Sequence, residues 1–156
     1  MTKLSTILLS FTADVFERLE RGEKKFEYRK HFPEGKTTVY FYVSNPVKAI
    51  TGIGEFGNRE ELVTWLDKYS DRPDDVQNRI KEYLEDCNYV APLLSFRKTS
   101  RLCLHDIQKD IPGFVVPRMY YYLDNLKLLN YINAKLEYID APIYHSFDNI
   151  EDDDIC

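Results

Sequence analysis

The chain has 156 residues, of which 44% are hydrophobic and 30% charged, which is the size and composition of one globular domain. Its net charge of −5 argues against a strongly basic nucleic-acid-binding surface, although residues 1–50 hold nine Lys and Arg against six Asp and Glu. Three widely spaced cysteines exclude a disulfide framework and a Cys-x-x-Cys zinc site, and no apolar run is long enough to span a membrane. We therefore expect a reduced, cytoplasmic protein with no signal peptide, metal or cofactor.

The first half of the chain predicts four strands and one helix. Apolar or alternating runs predict the strands, namely Ser5–Phe11, one that begins near Lys24, 37–44 and 47–56. Between the first two strands, a helix is predicted to begin at Thr12 or Asp14 and to end at Gly22. Gly52 and Gly54 indicate a bulge or a close backbone approach within the last strand.

The second half predicts mainly helices. Asn58 and Glu61 have the spacing of a capping box, which would start an amphipathic helix that runs to Tyr69. Pro73 is placed to start the next helix, whose apolar side ends at Cys87. Residues 97–101 are predicted to form a basic loop and residues 101–108 a strand. A C-terminal helix is predicted at 122–136.

This order of elements favours an α+β fold, in which short strands close into a small mixed β-barrel flanked by helices. The domain is predicted to span residues 1–136 and to include the C-terminal helix. Residues 137–156 hold seven Asp and Glu and no Lys or Arg, so they are predicted to form a flexible acidic tail.

Residues 22–30, GEKKFEYRK, concentrate charges and aromatic rings. On a strand, side chains alternate between faces, so the two aromatic residues would enter the core while Glu27 and Arg29 share the opposite face. Counted along the strand, Lys24 falls on the same face as the two aromatic residues. It closely follows the turn at Gly22, however, and this turn would direct its side chain to the side on which Glu27 and Arg29 lie. Such a trio can hold an anionic or polar ligand, with Glu27 fixing Arg29 and raising the pKa of Lys24. The alternative is a solvated edge strand whose charges oppose aggregation.

Gly22, Lys24, Glu27 and Arg29 match the pattern G-x-K-x-x-E-x-R, through which the sequence resembles ASCH (activating signal cointegrator homology) domains. The opening strand ILLSF, the helix that runs into the motif and the following VYFYVSNPVKAITGIGEF are similar to the family's order. The resemblance covers roughly residues 5–123. It implies a PUA-like β-barrel whose cleft binds RNA or a modified nucleoside or nucleotide-like ligand, with the motif residues as the binding site.

One branch of the family hydrolyses the acetyl amide of N4-acetylcytidine, so the resemblance makes an amidohydrolase the alternative function. Lys24 would then be the activating base or nucleophile, with Glu27 as its catalytic neighbour. That branch carries Thr where this chain has Glu27, and a carboxylate there stabilises the charged ammonium, which disfavours the chemistry. Many relatives carry a P-P-Q-S-like turn near the C-terminus. The corresponding VVPRMYYYL keeps Pro117 but differs at Arg118 and Met119.

Further features leave alternatives open. The second basic cluster, Arg97, Lys98 and Arg101, would either extend the RNA-binding surface toward phosphates or form a solvated loop. Tyr40 and Tyr42 are either platforms on which RNA bases stack or core residues beneath a helix. A third hypothesis is a protein-interaction domain, with a homo-oligomer formed through the segment YYYLDNLKLLNYINAKL. The sequence contains no P-loop, Rossmann or nucleophile-elbow motif.

Overall fold

One curled mixed sheet carries the fold, in a computed structural model that describes residues 4–156. The strands are Ser5–Phe11 (β1), Phe26–Arg29 (β2), Thr37–Val43 (β3), Ala49–Phe56 (β4), Glu60–Glu61 (β5), Tyr89–Cys103 (β6), Tyr120–Tyr122 (β7) and Ile143–Tyr144 (β8). The α-helices are Ala13–Glu20 (α1), Trp65–Lys68 (α2), Asp74–Asp86 (α3), Leu104–Asp110 (α4) and Leu126–Lys135 (α5). The order is β2-β6-β4-β3-β1-β7, and β5 and β8 add to β6. The sheet curls into a half-barrel with helices against it, which confirms the predicted α+β fold and mixed β-barrel.

β1 and β3, two central strands, end at the same edge of the sheet because they run in the same direction. β1 runs parallel to β3, from the pair Ser5 and Thr37 to the pair Phe11 and Val43. The pairs β1–β7, β3–β4 and β4–β6 are antiparallel. Parallel strands need a long crossover, which here contains α1 and β2. The carboxyl ends of β1 and β3 consequently lie side by side at one edge of the half-barrel.

Three apolar clusters hold the layers together, because the residues of a strand alternate between its faces. Inside the half-barrel, Leu9 and its neighbours on β1, β3, β4 and β6 pack with α1. On the outer face, Leu8 and Tyr40 pack with residues of α4 and α5. The third cluster joins Phe26 of β2 to Trp65 and α3. Both faces of β3 are therefore buried, which explains why its sequence TTVYFYV has no charged residue.

Two glycines of β4 have the roles that the sequence predicts. A Cβ atom on Gly54 would lie 2.9 Å from a ring carbon of Phe41 and 2.9 Å from the carbonyl oxygen of Ser95. A larger residue there would displace the neighbouring strand, which confirms the close approach. The register between β4 and β6 shifts between Ile50 and Gly52, which confirms the bulge.

The predicted basic loop is wrong, and the strand predicted at 101–108 is correct only for residues 101–103. Residues 97–101 lie inside β6, which has 15 residues, and residues 104–110 form α4. Buried residues recur at every third position of β6, as Leu93, Phe96, Thr99 and Leu102, because register shifts with β4 interrupt the usual alternation. The sequence of β6 therefore lacks the period of two by which a strand is recognised.

The helix predicted to begin at Asn58 is shorter than expected. Residues 60–61 pair with β6 as β5, a 3₁₀ turn covers Leu62–Thr64, and the α-helix is limited to Trp65–Lys68. Glu61 precedes the turn without a side-chain cap, so the predicted capping box is wrong. The apolar spacing still identifies residues that enter the core, because Leu62, Trp65 and Tyr69 are all buried.

The acidic residues 137–156, which the sequence predicts to form a flexible tail, contact the rest of the domain in the structure. β8 pairs with β6, and Ile155 is fully buried in the third cluster. Arg72 lies 2.9 Å from Asp152, and Lys25 lies 3.3 Å from Asp154, so basic side chains of the domain meet the acidic ones. Composition alone indicated disorder, whereas complementary charge and buried apolar side chains dock the segment. Residues 1–3 of the predicted domain lie outside the described residues.

Helix α5 confirms the predicted C-terminal helix in a shorter form. The side chain of Asn125 caps it by accepting hydrogen bonds from the backbone N–H groups of Lys127 and Leu128. Ile132 is fully buried against the outer face of the sheet, whereas Leu126 is largely exposed. The segment therefore contributes to the chain's own core, and a homo-oligomer formed through it stays a prediction.

Ile155→Ala tests whether the acidic segment is docked. Truncating a fully buried isoleucine is expected to lower the free energy of unfolding by about 2 kcal/mol, because it removes apolar contact and leaves a cavity. Val63→Ala is the control, since Val63 is 56% exposed and its truncation should change stability by less than about 0.5 kcal/mol. Urea unfolding measures both. Equal, small effects would show that the segment is free.

Candidate functional site

A cleft of about 510 Å³ opens at the edge where β1 and β3 end. Ser10 borders it at the end of β1, Ser44 follows β3, and Glu27 and Arg29 face it from β2. Residues 116–118, in the connection that precedes β7, complete the wall. The volume lies within the range of pockets that bind one small molecule.

β2 presents two charged side chains to the cleft because its other face is fixed in the core. Phe26 and Tyr28 pack against Trp65, with ring centroids 4.8 and 5.9 Å from that of the indole. Alternation then turns Glu27 and Arg29 to the opposite side, as the sequence predicts. A slip of one residue in the pairing of β2 with β6 would exchange the two sets of side chains.

Arg29 ties β2 to the end of β1. Its Nη2 donates a hydrogen bond to the carbonyl oxygen of Ser10 at 2.9 Å and lies 3.6 Å from Oε2 of Glu27. The guanidinium carbon lies 5.1 Å from the centroid of the Phe11 ring, within the range of a cation–π contact. Within residues 4–156, hydrogen bonds engage Nη2 alone, so the other N–H groups of the guanidinium can donate to a ligand.

Glu27 places a buried carboxylate in the wall of the cleft, and the residue is only 7% exposed. Its Oε1 accepts a hydrogen bond from the backbone N–H of Tyr28 at 3.1 Å. Its Oε2 has no hydrogen-bond partner among the described residues. A buried acceptor without a donor is costly, and the ion pair with Arg29 offsets only part of that cost. The oxygen is closed off from solvent, so a ligand N–H group can reach it once the side chain turns toward the cleft.

Lys24 does not reach the cleft. The residue is 4% exposed, and its Nζ lies 5.3 Å from the centroid of the Tyr28 ring. Burial lowers the pKa of the Lys24 ammonium below its ordinary value, the charge of Glu27 opposes this effect, and the charge of Arg18 adds to it. Glu27 raises this pKa, as the sequence predicts, but burial is the larger effect, so the net change is downward.

The N-terminus of α1 also borders the cleft, through Thr12 and Val15. The hydroxyl of Thr12 and the backbone N–H of Val15 hydrogen-bond to the carboxylate of Asp14 and lower its pKa. An internal carboxylate thus occupies the position that an anionic ligand takes at many helix N-termini. This helix end is therefore less suited to pair with an anion than the arginine side chains of the cleft.

No protein-family model matches the sequence, and no curated protein matches it. Solved structures do match the fold. The crystal structure of ASCH from Zymomonas mobilis has a TM-score of 0.64 and 15% identity, over 87% of this chain and 99% of that chain. The chain has the ASCH fold. A serine-to-alanine variant of the Zymomonas mobilis protein matches with a TM-score of 0.63 and 14% identity, over 88% of this chain and 100% of that one. These matches confirm the ASCH-type fold that the resemblance implies.

Within this ASCH fold, the four motif positions have different surroundings. Gly22 ends α1 with φ +72°, the left-handed conformation that glycine adopts most easily after a helix. It turns the chain toward β2 and does not line the cleft. Lys24 is buried beside Tyr28, so Glu27 and Arg29 are the two motif residues that border the cleft.

The second basic cluster lies apart from the residues that line the cleft. Arg97 stacks on Tyr138, with 3.9 Å between the guanidinium carbon and the ring centroid. Lys98 pairs with Glu20 of α1 at 2.8 Å. Arg101 is exposed on β6. The first two therefore hold parts of the domain together, and a phosphate-binding role for this cluster stays a prediction.

The sequence did not single out the polar residues that reach the cleft from segments outside the motif. Ser10 donates through Oγ to the carbonyl oxygen of Pro117 at 2.6 Å, which fixes residues 116–118 against the end of β1. Ser44 and Arg118 border the cleft from two other segments. For Arg118 the sequence gives a partial indication, since this residue differs from the P-P-Q-S-like turn described above. No local pattern shows that the parallel strands bring these segments together.

Two classes of site are absent from residues 4–156. No group of three or more His, Cys, Asp and Glu side chains in this range could hold a metal ion. No helix in the same range is long and apolar enough to cross a bilayer.

Lys24→Met tests the burial of the ammonium. Folding lowers the pKa of Lys24 below about 10.4, the value in the unfolded chain. Between these two pKa values the folded state binds fewer protons than the unfolded state. The wild-type protein therefore gains stability as the pH rises through that interval. The variant lacks this cost and should be more stable at pH 7, with an advantage that shrinks as the pH approaches 10.4. Urea unfolding at several pH values measures the difference. Lys81→Met, at an exposed position, is the control. An advantage that does not change with pH would contradict the assignment.

Proposed function

We propose that the cleft binds RNA or a modified nucleoside or nucleotide-like ligand, with the base held by Glu27 and Arg29. The observation that carries the proposal is the buried Oε2 of Glu27, which has no hydrogen-bond partner within residues 4–156 and lies beside the Arg29 guanidinium. A carboxylate accepts from an amino or imino N–H of a base, and a guanidinium donates to a ring nitrogen or carbonyl. A base edge that sets an N–H next to an acceptor complements this pair.

Other parts of the cleft support the same ligand class. Phe11 and Tyr42 provide apolar surface against which a base can lie. Tyr40 belongs to the same outer cluster as Tyr42 but does not border the cleft, and its hydroxyl donates to Asn133 of α5. Arg118 is exposed on the rim and makes no hydrogen bond or ion pair within residues 4–156. A phosphate group can therefore pair with it without breaking an existing contact.

Glu27→Gln and Arg29→Lys test the base-binding pair. Each should weaken binding about 5-fold to 150-fold, because a good side-chain pair with a base edge is worth about 1–3 kcal/mol. Glu27→Gln keeps the shape but removes the charge, and Arg29→Lys keeps the charge but removes the planar fork. The measurement is a titration with nucleoside monophosphates and short single-stranded RNAs at low salt, followed by amide shifts around Ser10, residues 27–29 and Ser44.

Lys81→Ala provides the control, since it removes an exposed charge on α3. It should leave the affinity unchanged apart from a small, salt-dependent effect. Binding that is absent at low salt, or that is equally strong in the Glu27 and Arg29 variants, would refute the proposal.

A second candidate function is hydrolysis of the acyl amide of a nucleoside such as N4-acetylcytidine. One observation favours it. The lowered pKa of Lys24 brings this group closer to the neutral amine that a base or nucleophile must be. Lys24 is buried beside Tyr28 and does not border the cleft, so a substrate bound there would not touch its amine. This position makes hydrolysis the second candidate and not the first.

Acetate release from N4-acetylcytidine distinguishes the two functions. If the protein is an amidohydrolase, it releases one acetate for each cytidine formed, and Lys24→Ala abolishes the release. Lys81→Ala, in which an equally charged but exposed residue is removed, should keep full activity. No acetate at high protein concentration would eliminate this candidate, while base binding in the cleft would be unaffected.

A further inference from the structure

Two further hollows continue from the cleft along residues 115–122. The first has a volume of about 660 Å³ and shares residues 116–118 with the cleft. The second has a volume of about 420 Å³ and shares His31, Tyr120 and Tyr122 with the first. We name these two hollows together the tyrosine groove. The cleft and the groove are therefore neighbours that share residues of one wall, and together they offer more room than a single nucleoside needs.

Aromatic rings line the tyrosine groove. The rings of Tyr120 and Tyr122 stand edge to face, with centroids 5.9 Å apart and planes at 85°, and Tyr122 is 43% exposed. The guanidinium carbon of Arg59 lies 4.0 Å from the centroid of Tyr89, so these two groups form a stacked pair in the same wall. Aromatic rings and stacked arginines are the surfaces on which unpaired bases stack.

The charge of the tyrosine groove is positive, in a chain whose net charge is −5. Among the described residues that line it, Glu34 is the one acidic side chain, and it pairs with Arg59 at 3.1 Å. Arg118, at the junction between the cleft and the groove, has no such partner within residues 4–156. A polyanion that leaves the cleft therefore meets an uncompensated arginine first.

The edge of the sheet beside the groove is poorly suited to an extended peptide. β7 contains only three residues and already pairs with β1 along one side. Peptides that add to a sheet rely on a longer run of main-chain hydrogen bonds, and short edge strands discourage such pairing. Stacking surface and positive charge thus favour a nucleic-acid strand over a peptide.

We infer that the tyrosine groove carries a single-stranded nucleic acid onward from the cleft. One nucleotide occupies the cleft, and its neighbours along the strand lie in the groove, with their bases against Tyr120 and Tyr122 and a phosphate beside Arg118. This inference rests on the proposed function of the cleft and adds that the ligand is a strand and not a free nucleoside. The groove contributes affinity that depends on strand length.

Two groove variants test the inference, with cytidine 5′-monophosphate and a single-stranded hexamer of cytidylate as probes. Tyr122→Leu removes a stacking surface, and His31→Glu places a negative charge at an exposed position in the groove. Each should weaken hexamer binding about 5-fold or more, since stacking is worth about 1–3 kcal/mol per base. Neither should change the affinity for the monophosphate by more than twofold. Lys81→Gln, which also lowers the net charge by one, is the control and should weaken the hexamer less than twofold.

The outcomes separate failure of the inference from failure of the proposed function. If both groove variants bind the hexamer as wild type does, while Arg29→Lys weakens both probes, the groove inference is overturned and the cleft still binds its ligand. If neither probe binds the wild-type protein, the proposed function fails and the inference with it. If hexaglutamate binds as tightly as the hexamer and responds to the same two substitutions, the groove recognises charge without bases, which also overturns the inference.

Discussion

Side-chain alternation along β2 is the constraint on which the cleft depends. The strand has only four residues, and two of them, Phe26 and Tyr28, are fixed in the third apolar cluster. The burial of those rings decides that Glu27 and Arg29 face the cleft. Burying aromatic side chains is worth several kcal/mol, far more than an exposed ion pair supplies. Burial of the apolar face of the strand therefore offsets the free-energy cost of holding a partly buried charged pair in one orientation.

The three charged groups of the motif are buried to different degrees, and this separates their chemistry. Arg29 satisfies part of its hydrogen-bonding capacity with Ser10 and keeps the rest for a ligand. Glu27 keeps one oxygen without a donor. Lys24 is placed outside the cleft and loses part of its tendency to carry a proton. A binding pair and a buried amine thus lie close together in the sequence but face different surroundings.

The sequence predicts those features that local chemistry decides. β1, α1, β3 and α3 follow from apolar spacing, from Gly22 and from Pro73, and the motif correctly directs Glu27 and Arg29 to one face. Features that depend on distant partners are missed. Register shifts in β6 interrupt the alternation by which a strand is recognised. The acidic segment pairs with basic residues elsewhere in the chain, which its own composition cannot predict. Lys24 precedes the first residue of β2, so strand parity does not decide where its side chain goes.

β6 has a consequence for the order in which the protein can be assembled during synthesis. It pairs with β2, β4 and β5, which precede it in the chain, and with β8, which follows it. Until the ribosome has made residues 89–92, β2 has no strand with which to pair, and residues 116–118 of the cleft wall come later still. Contacts between distant residues also slow folding, because a long loop must close first. A nascent chain that stops before this point carries the whole motif in its sequence but has no cavity in which a ligand can rest.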